Sequence, residues 1–327
     1  MRRSPVALAV LVAMALTASA CGSSSKSSDT STPATTGGSS DSGGGAGGAT
    51  GVLKAIDTSA ATGAQKLTLA LDVDVKGSPS NPQLALFTKQ PIDLTVDGVV
   101  DAGGKSADVN VSVTLGQDPI KAEVRTGGGK SWLKIDDKWY DLPADALSST
   151  TGQSLPSGAS VGNLDAGKIL AAVGDPSKLL DNATVSSEKV AGIDADKVSG
   201  DVNITAAAEA VAKLSTSLGS ASGAPTQAQI DKSVAQLRKV LKTAHVDIWV
   251  GKSDHKVHRL AFAANAAMDE ASKASSGIDS LDLKLDVTTV DASAPDVSAP
   301  SSVGTAAELQ TAVIGLLGKV MGGAAAG

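Results

Sequence analysis

A single cysteine, Cys21, stands in 327 residues, so no disulfide can form within the chain and the fold has to be stabilised by burial. Aromatic residues are nearly as scarce, at 2% of the chain. The large rings that usually fill a sheet core are therefore replaced by Leu, Val, Ile and Ala, with only Phe87, Trp132, Trp139, Tyr140, Trp249 and Phe262 to assist. Apolar runs are short. The first, Val6 to Leu16, is about half the length a bilayer-spanning helix needs. Basic clusters are missing too, and the net charge is −6, which argues against charge-driven binding of nucleic acid or anionic headgroups.

What is present begins with an address. Arg2 and Arg3 precede the apolar run, and Ala18, Ser19 and Ala20 precede Cys21, the order of a secretory signal over residues 1–20. A cysteine directly after the small residues resembles the lipobox of bacterial lipoprotein precursors, with Ala18 where a leucine is usual. Cleavage there would free the Cys21 amine and thiol for acylation, and two or three acyl chains hold a protein durably where one does not. Losing Arg2 and Arg3 with the signal takes the charge from −6 to −8. The expected location is the extracytoplasmic face of the cell membrane. Residues 21–50 are otherwise mostly Gly, Ser, Thr and Ala, with almost no large apolar side chain, a tether with an r.m.s. reach of about 30 Å.

The body of the chain, 51–291, reads as one domain. A short helix is expected from Gly51 in VLKAIDTSAAT. Alternation then marks strands in KLTLALDVDVK, IDLTVDGVVDAG, SADVNVSVTL, IKAEVRT, SWLKID and KWYDL, and glycine-rich turns between them make neighbours antiparallel. The period then changes. DAGKILAAV (165–173) and DPSKLLDNA (175–183) start with Asp like helices, the strands TVSSEKVAG and ADKVSGDVNI follow, and helices are expected at 205–219 and 226–244. Ile230, Val234, Leu237 and Leu241 share one face of the last. Strands resume in HVDIWVG, KVHRLAFAANAAMD and SLDLKLDVTTVD. About ten strands in two blocks around a helical block define an α+β fold, a large antiparallel sheet with helices against one face. A tail and a weakly apolar helix, within 292–327, close the chain.

Catalytic chemistry is not visible. His245, His255 and His258 lie close in sequence, but extended spacing puts the last two on opposite faces and no ligand set is completed, so they read as solvated strand-end residues. There is no nucleophile elbow and no phosphate-cradling glycine loop. Asp72, Asp74, Asp282 and Asp286 alternate with Leu and Val and read as a solvated outer face. Neither an enzyme nor a cofactor is expected. The aliphatic composition leaves two readings open: a tight core of small residues, or an incompletely closed one that leaves room for acyl chains.

In order along the chain, the segment at Cys21, the helix VLKAIDTSA, the hairpin WLKIDDKWYDL, the runs DAGKILAAVGDPSKLLDNATV and VAGIDADKVSGDV, and above all VDIWVGKSDHKVHRLAF resemble the LppX/LprAFG family of actinobacterial lipoproteins over roughly residues 51 to 290. The resemblance implies a curved antiparallel half-barrel of LolA/LppX type whose concave face and covering helices enclose an apolar cavity for lipids or lipoglycans. It makes Leu67, Leu69, Leu71, Val73, Val109, Val111, Val113, Leu281, Leu283 and Leu285 candidates for the cavity side, with Ile230, Val234 and Leu237 from a helical lid. The expected partners are an acylated lipid or lipoglycan, the membrane through the anchor, and an envelope transporter, with the chain a monomer. The alternative is a non-catalytic structural or sensory envelope lipoprotein that binds a protein partner.

Overall fold

The computed structural model describes residues 46–57, 63–80, 85, 87–101, 105–115, 119–142, 176–207 and 227–323. The expected signal, Cys21, most of the expected tether, the expected helix at 165–173 and nearly all of that at 205–219 lie outside them.

Two meanders meet in one sheet. β1 (Ala64–Gly77), β2 (Ile92–Asp101), β3 (Ala107–Leu115), β4 (Pro119–Gly127), β5 (Lys130–Ile135) and β6 (Lys138–Asp141) step outward from the centre. The chain then crosses to the far edge and returns through β7 (Leu180–Val190), β8 (Ile193–Val202), β9 (Leu241–Gly251), β10 (Val257–Ala267) and β11 (Ile278–Ala292). The seam is β11 against β1, antiparallel, from Ala64↔Ala292 to Gly77↔Ile278. With β12 (Val303–Gly304) the order is β12-β6-β5-β4-β3-β2-β1-β11-β10-β9-β8-β7, a curved, unclosed sheet that is antiparallel except at β12.

Local chemistry explains two features of this path. Asp136 and Asp137 both take positive φ, 47° and 65°, giving the two-residue turn whose twist suits a hairpin between β5 and β6. Gly98 sits in β2 where a Cβ would come within 2.3 Å of the Asp108 carbonyl oxygen and 2.6 Å of Val109 Cα. The missing side chain lets β2 and β3 approach closely as the sheet bends.

Helices lie against the apolar face at both flanks. α1 (Ala46–Lys54) begins five residues inside the stretch read as tether. Its three glycines disfavour a helix, but Ala49 and Leu53, one turn apart and almost fully buried, pack with Val198, Ile248 and Leu260. α2 (Gln227–Val240) ends before β9, and α3 (Glu270–Ser276) links β10 to β11. α3 is closed by the Asp269 carboxylate accepting from Ser272 N–H at 2.8 Å and by Gly277 in the left-handed region at φ 71°. α4 (Ala306–Gly323) packs Leu309 against Ile135 and Tyr140 at the β6 flank.

Three expected helices change. The one expected at 175–183 is a 3-10 turn, Pro176–Lys178, followed by β7. Leu180 pairs with Val202, and Asn182 takes φ 55°, which no helix accommodates. The one expected at 226–244 stops at Val240, because Leu241, Thr243 and Ala244 pair with Ala266, Asn265 and Ala264 of β10. Helical spacing placed Leu241 on a helix face; the ladder claims it for the sheet. The helix expected from Gly51 ends at Lys54.

The C-terminal tail is part of the fold. From the end of β11 to β12, residues 293–302 span seven interstrand spacings, about 34 Å at about 4.8 Å each, which ten nearly extended residues can cover. Val297 packs over Gly127 on the way, and Val303–Gly304 pairs in parallel with Trp139–Tyr140.

Candidate functional site

Register gathers the alternating aliphatic residues into rows that cross many strands. One row reads Val124, Val109, Gly98, Leu67 and Thr289; the next reads Ala122, Val111, Val96, Leu69, Val287, Leu260 and Ile248; a third reads Ile120, Val113, Leu94, Leu71, Leu285, Phe262 and Val246. Side chains in register on antiparallel neighbours share a face, so these rows form one aliphatic surface. All ten strand residues expected on the cavity side lie on it.

Burial is graded along that surface. At the end of the sheet where β1 begins, Leu67, Leu69, Val109, Val96 and Val287 are buried, in one cluster with Val100 and Ala107. Toward the other end, Leu71, Val73, Val111, Val113, Leu281, Leu283 and Leu285 are only half-buried. The helical residues divide. Val234 of α2 is buried, Leu237 is 36% exposed, and the Ile230 side chain lies outside the described residues. β9 and β10 contribute Val246, Ile248, Leu260 and Phe262, which had not been singled out although HVDIWVG and HRLAF alternate.

The aromatics lie mostly elsewhere. Register puts Trp132, Trp139 and Trp249 on the opposite, polar face, alongside Arg125, Lys134 and Lys197. Trp249, 4% exposed, lies between Arg259 and Lys197, whose charged centres are 4.5 and 4.9 Å from its ring, and its indole N–H donates to Glu188 at 3.0 Å. Arg259 is held in turn by Asp286 through Nε at 3.0 Å, an interaction that raises the guanidinium pKa. The aliphatic face keeps only Tyr140 at one flank and Phe262 near the other. Aliphatic side chains therefore line its centre.

The polar face carries the expected acidic residues, now paired across strands. Asp72 faces Asp93 and Asp74 faces Asp282. Burial, with the hydrogen bond to Asp72, raises the Asp93 pKa, since two adjacent carboxylates resist carrying two charges. Among the described residues no group of three or more His, Cys, Asp or Glu side chains could hold a metal ion.

His258 corrects the reading of solvated histidines. It is 3% exposed, with Nδ1 donating to the Thr289 carbonyl at 3.2 Å and Nε2 at 3.0 Å from Asp254. Burial opposes the charge on Asp254, but the Lys256 N–H and the His258 ring outweigh it and lower the carboxyl pKa. His245 does lie at the surface, 3.0 Å from the Ser199 hydroxyl and 3.3 Å from Asp201. His255 occupies the β9–β10 turn at φ 55°, and its carbonyl accepts from the Asp57 N–H at 2.8 Å.

An unclosed antiparallel sheet with one aliphatic face, helices on that face at both flanks and a charged outer face defines an α+β half-barrel. LprF from Mycobacterium bovis has a similar solved structure: 14% sequence identity, a TM-score of 0.35, and coverage of 80% of this chain and 100% of that one. No protein-family model matches the chain, and no curated protein does. Among the described residues no helix is long and apolar enough to cross a membrane.

Proposed function

We propose that the chain is a lipid-anchored protein of the cell envelope that binds a lipid or lipoglycan by its acyl chains and carries it from the membrane toward the outer envelope. The observation that carries this reading is the graded aliphatic face. Leu71, Val73, Leu94, Val111, Val113, Leu281, Leu283 and Leu285 form a contiguous apolar patch across β3, β2, β1 and β11, half-open beside a buried base. Water gains little there, and an acyl chain laid on such a surface removes about 25 cal/mol per Å² of apolar area from water.

The mechanism involves no bond-making step and no cofactor. Lipidated Cys21 keeps the carrier at the bilayer that supplies the cargo, the tether sets its reach, and an envelope transporter supplies or receives the load. Aliphatic side chains suit acyl chains because they exclude water without imposing a hydrogen-bond pattern.

Native mass spectrometry of the purified chain tests this. Co-purifying lipid, exchangeable for a fluorescent fatty-acyl probe, is the expected result. Protein recovered lipid-free that also fails to take up the probe would overturn the reading.

A further inference from the structure

The sequence contains no basic run, yet the fold brings two cations from distant segments to one cleft. At the β7/β8 end of the sheet a cleft of about 460 Å³ is lined by Lys178, Asp181, Val202, Asn203, Thr205 and Arg238, among others. Lys178 ends the 3-10 turn before β7 and Arg238 lies in the last turn of α2, sixty residues later. The Asp181 carboxylate accepts from the Asn203 side-chain amide at 3.1 Å, and Asn203 Oδ1 accepts from the Ala206 N–H at 3.1 Å. Arg238 donates through Nη2 to the Thr205 hydroxyl at 2.7 Å, which fixes the guanidinium while leaving other donors of its fork for a ligand. Among the described residues neither Lys178 nor Arg238 is paired with a carboxylate. The lining thus carries two positive groups against one engaged negative group, in a chain of net charge −6.

Position gives the cleft its meaning. Val202 lines it and also packs against the apolar cluster beneath α1. β8 ends at Val202, β1 at Gly77 and β10 at Ala267, while β9 and β11 begin at Leu241 and Ile278. The cleft is therefore at the end of the sheet where Val73, Leu281 and Leu283 are half-open, not at the end where Leu67 and Val109 are sealed.

We propose that this cleft binds the phosphate of an anionic amphiphile whose acyl chains lie on the aliphatic face, with Arg238 and Lys178 as its anion-binding residues. A guanidinium fork beside an ammonium matches phosphate oxygens in geometry and charge. The proposal rests on the carrier reading and narrows its cargo to phosphate-bearing lipids, which sequence composition had argued against.

Calorimetric titration of the full chain, stripped of co-purified lipid, with dihexanoyl phosphatidic acid, dihexanoyl glycerol and inorganic phosphate tests it. Phosphatidic acid should bind more tightly than the glycerol, and Arg238→Gln or Lys178→Gln should weaken it about tenfold while leaving the glycerol unaffected, as expected for loss of a charged hydrogen bond. Arg238→Lys should restore part of the loss. Equal binding of both amphiphiles by every variant would overturn the headgroup site and leave the carrier intact. Binding of neither amphiphile would overturn both, and Arg238-dependent binding of inorganic phosphate alone would identify a free-anion site and overturn the lipid assignment.

Discussion

Lys138 Nζ lies 2.6 Å from Glu308 Oε1, joining β6 to a helix that begins about 170 residues later. Glu308 Oε2 also accepts from the Thr305 N–H at 2.7 Å, and the Thr305 hydroxyl accepts from the Glu308 N–H at 3.3 Å, so one carboxylate both caps α4 and docks it. These bonds, Lys138 foremost, lower the Glu308 pKa to about 2.

A depressed carboxyl pKa contributes stability that is present above the unfolded value and lost as pH falls through the folded one. The α4 contact should therefore loosen between about pH 4.5 and about pH 2. Hydrogen exchange across 303–315, followed with pH, should show faster exchange in that window. Lys138→Met should bring the loosening to higher pH, and Glu308→Gln should remove the pH dependence.

The buried His258 is a second point of sensitivity. His258→Ala takes the ring donor from the buried Thr289 carbonyl and leaves the Asp254 carboxylate to the Lys256 N–H, and a buried group left without its partner costs about 1–3 kcal/mol. Urea denaturation should show a lower midpoint of that size. Asp254→Asn should cost stability at neutral pH and little well below the usual carboxylate range, because the lowered Asp254 pKa confines its contribution to higher pH.

Gly98→Ala tests the bend. A methyl group there meets the backbone of β3, not a movable side chain, so the two strands have to separate. The expected result is a loss of several degrees in Tm or failure to fold, whereas Gly51→Ala, in open space on α1, should be neutral or stabilising.

The graded face predicts a split between stability and binding. Leu69→Ala, in the sealed end, should cost about 2–5 kcal/mol. Leu283→Gln, in the half-open end, should leave the melting temperature within a few degrees while reducing uptake of a fatty-acyl probe. Equal stability losses from the two would show that both ends are closed core.

Much of the sheet was legible because alternation is a local property. The pattern in KLTLALDVDVK or SLDLKLDVTTVD marks strand and face together, and the candidates Leu67, Val109 and Leu283 accordingly reach one surface. Where two local signals competed, the sequence was ambiguous. Leu241 keeps helical spacing with Leu237 but gains a ladder partner in Ala266, and DPSKLL begins like a helix but contains a buried strand residue, Leu180. α1 was partly hidden because its glycines give no local signal and its burial against Val198 and Leu260 is nonlocal. His258 was misread for a similar reason: its partners, Asp254 and the Thr289 carbonyl, become neighbours only when β10 and β11 pair.

By itself the sequence determined most of the strands and the aliphatic character of one of their faces, because period and composition are written residue by residue. Only the tertiary structure decided that two meanders join at β1 and β11, that one end of the aliphatic face is sealed and the other half-open, and that Lys178 and Arg238 meet at that open end. Pairing across long loops is set by the summed burial of whole faces, and no local stretch of residues carries that sum.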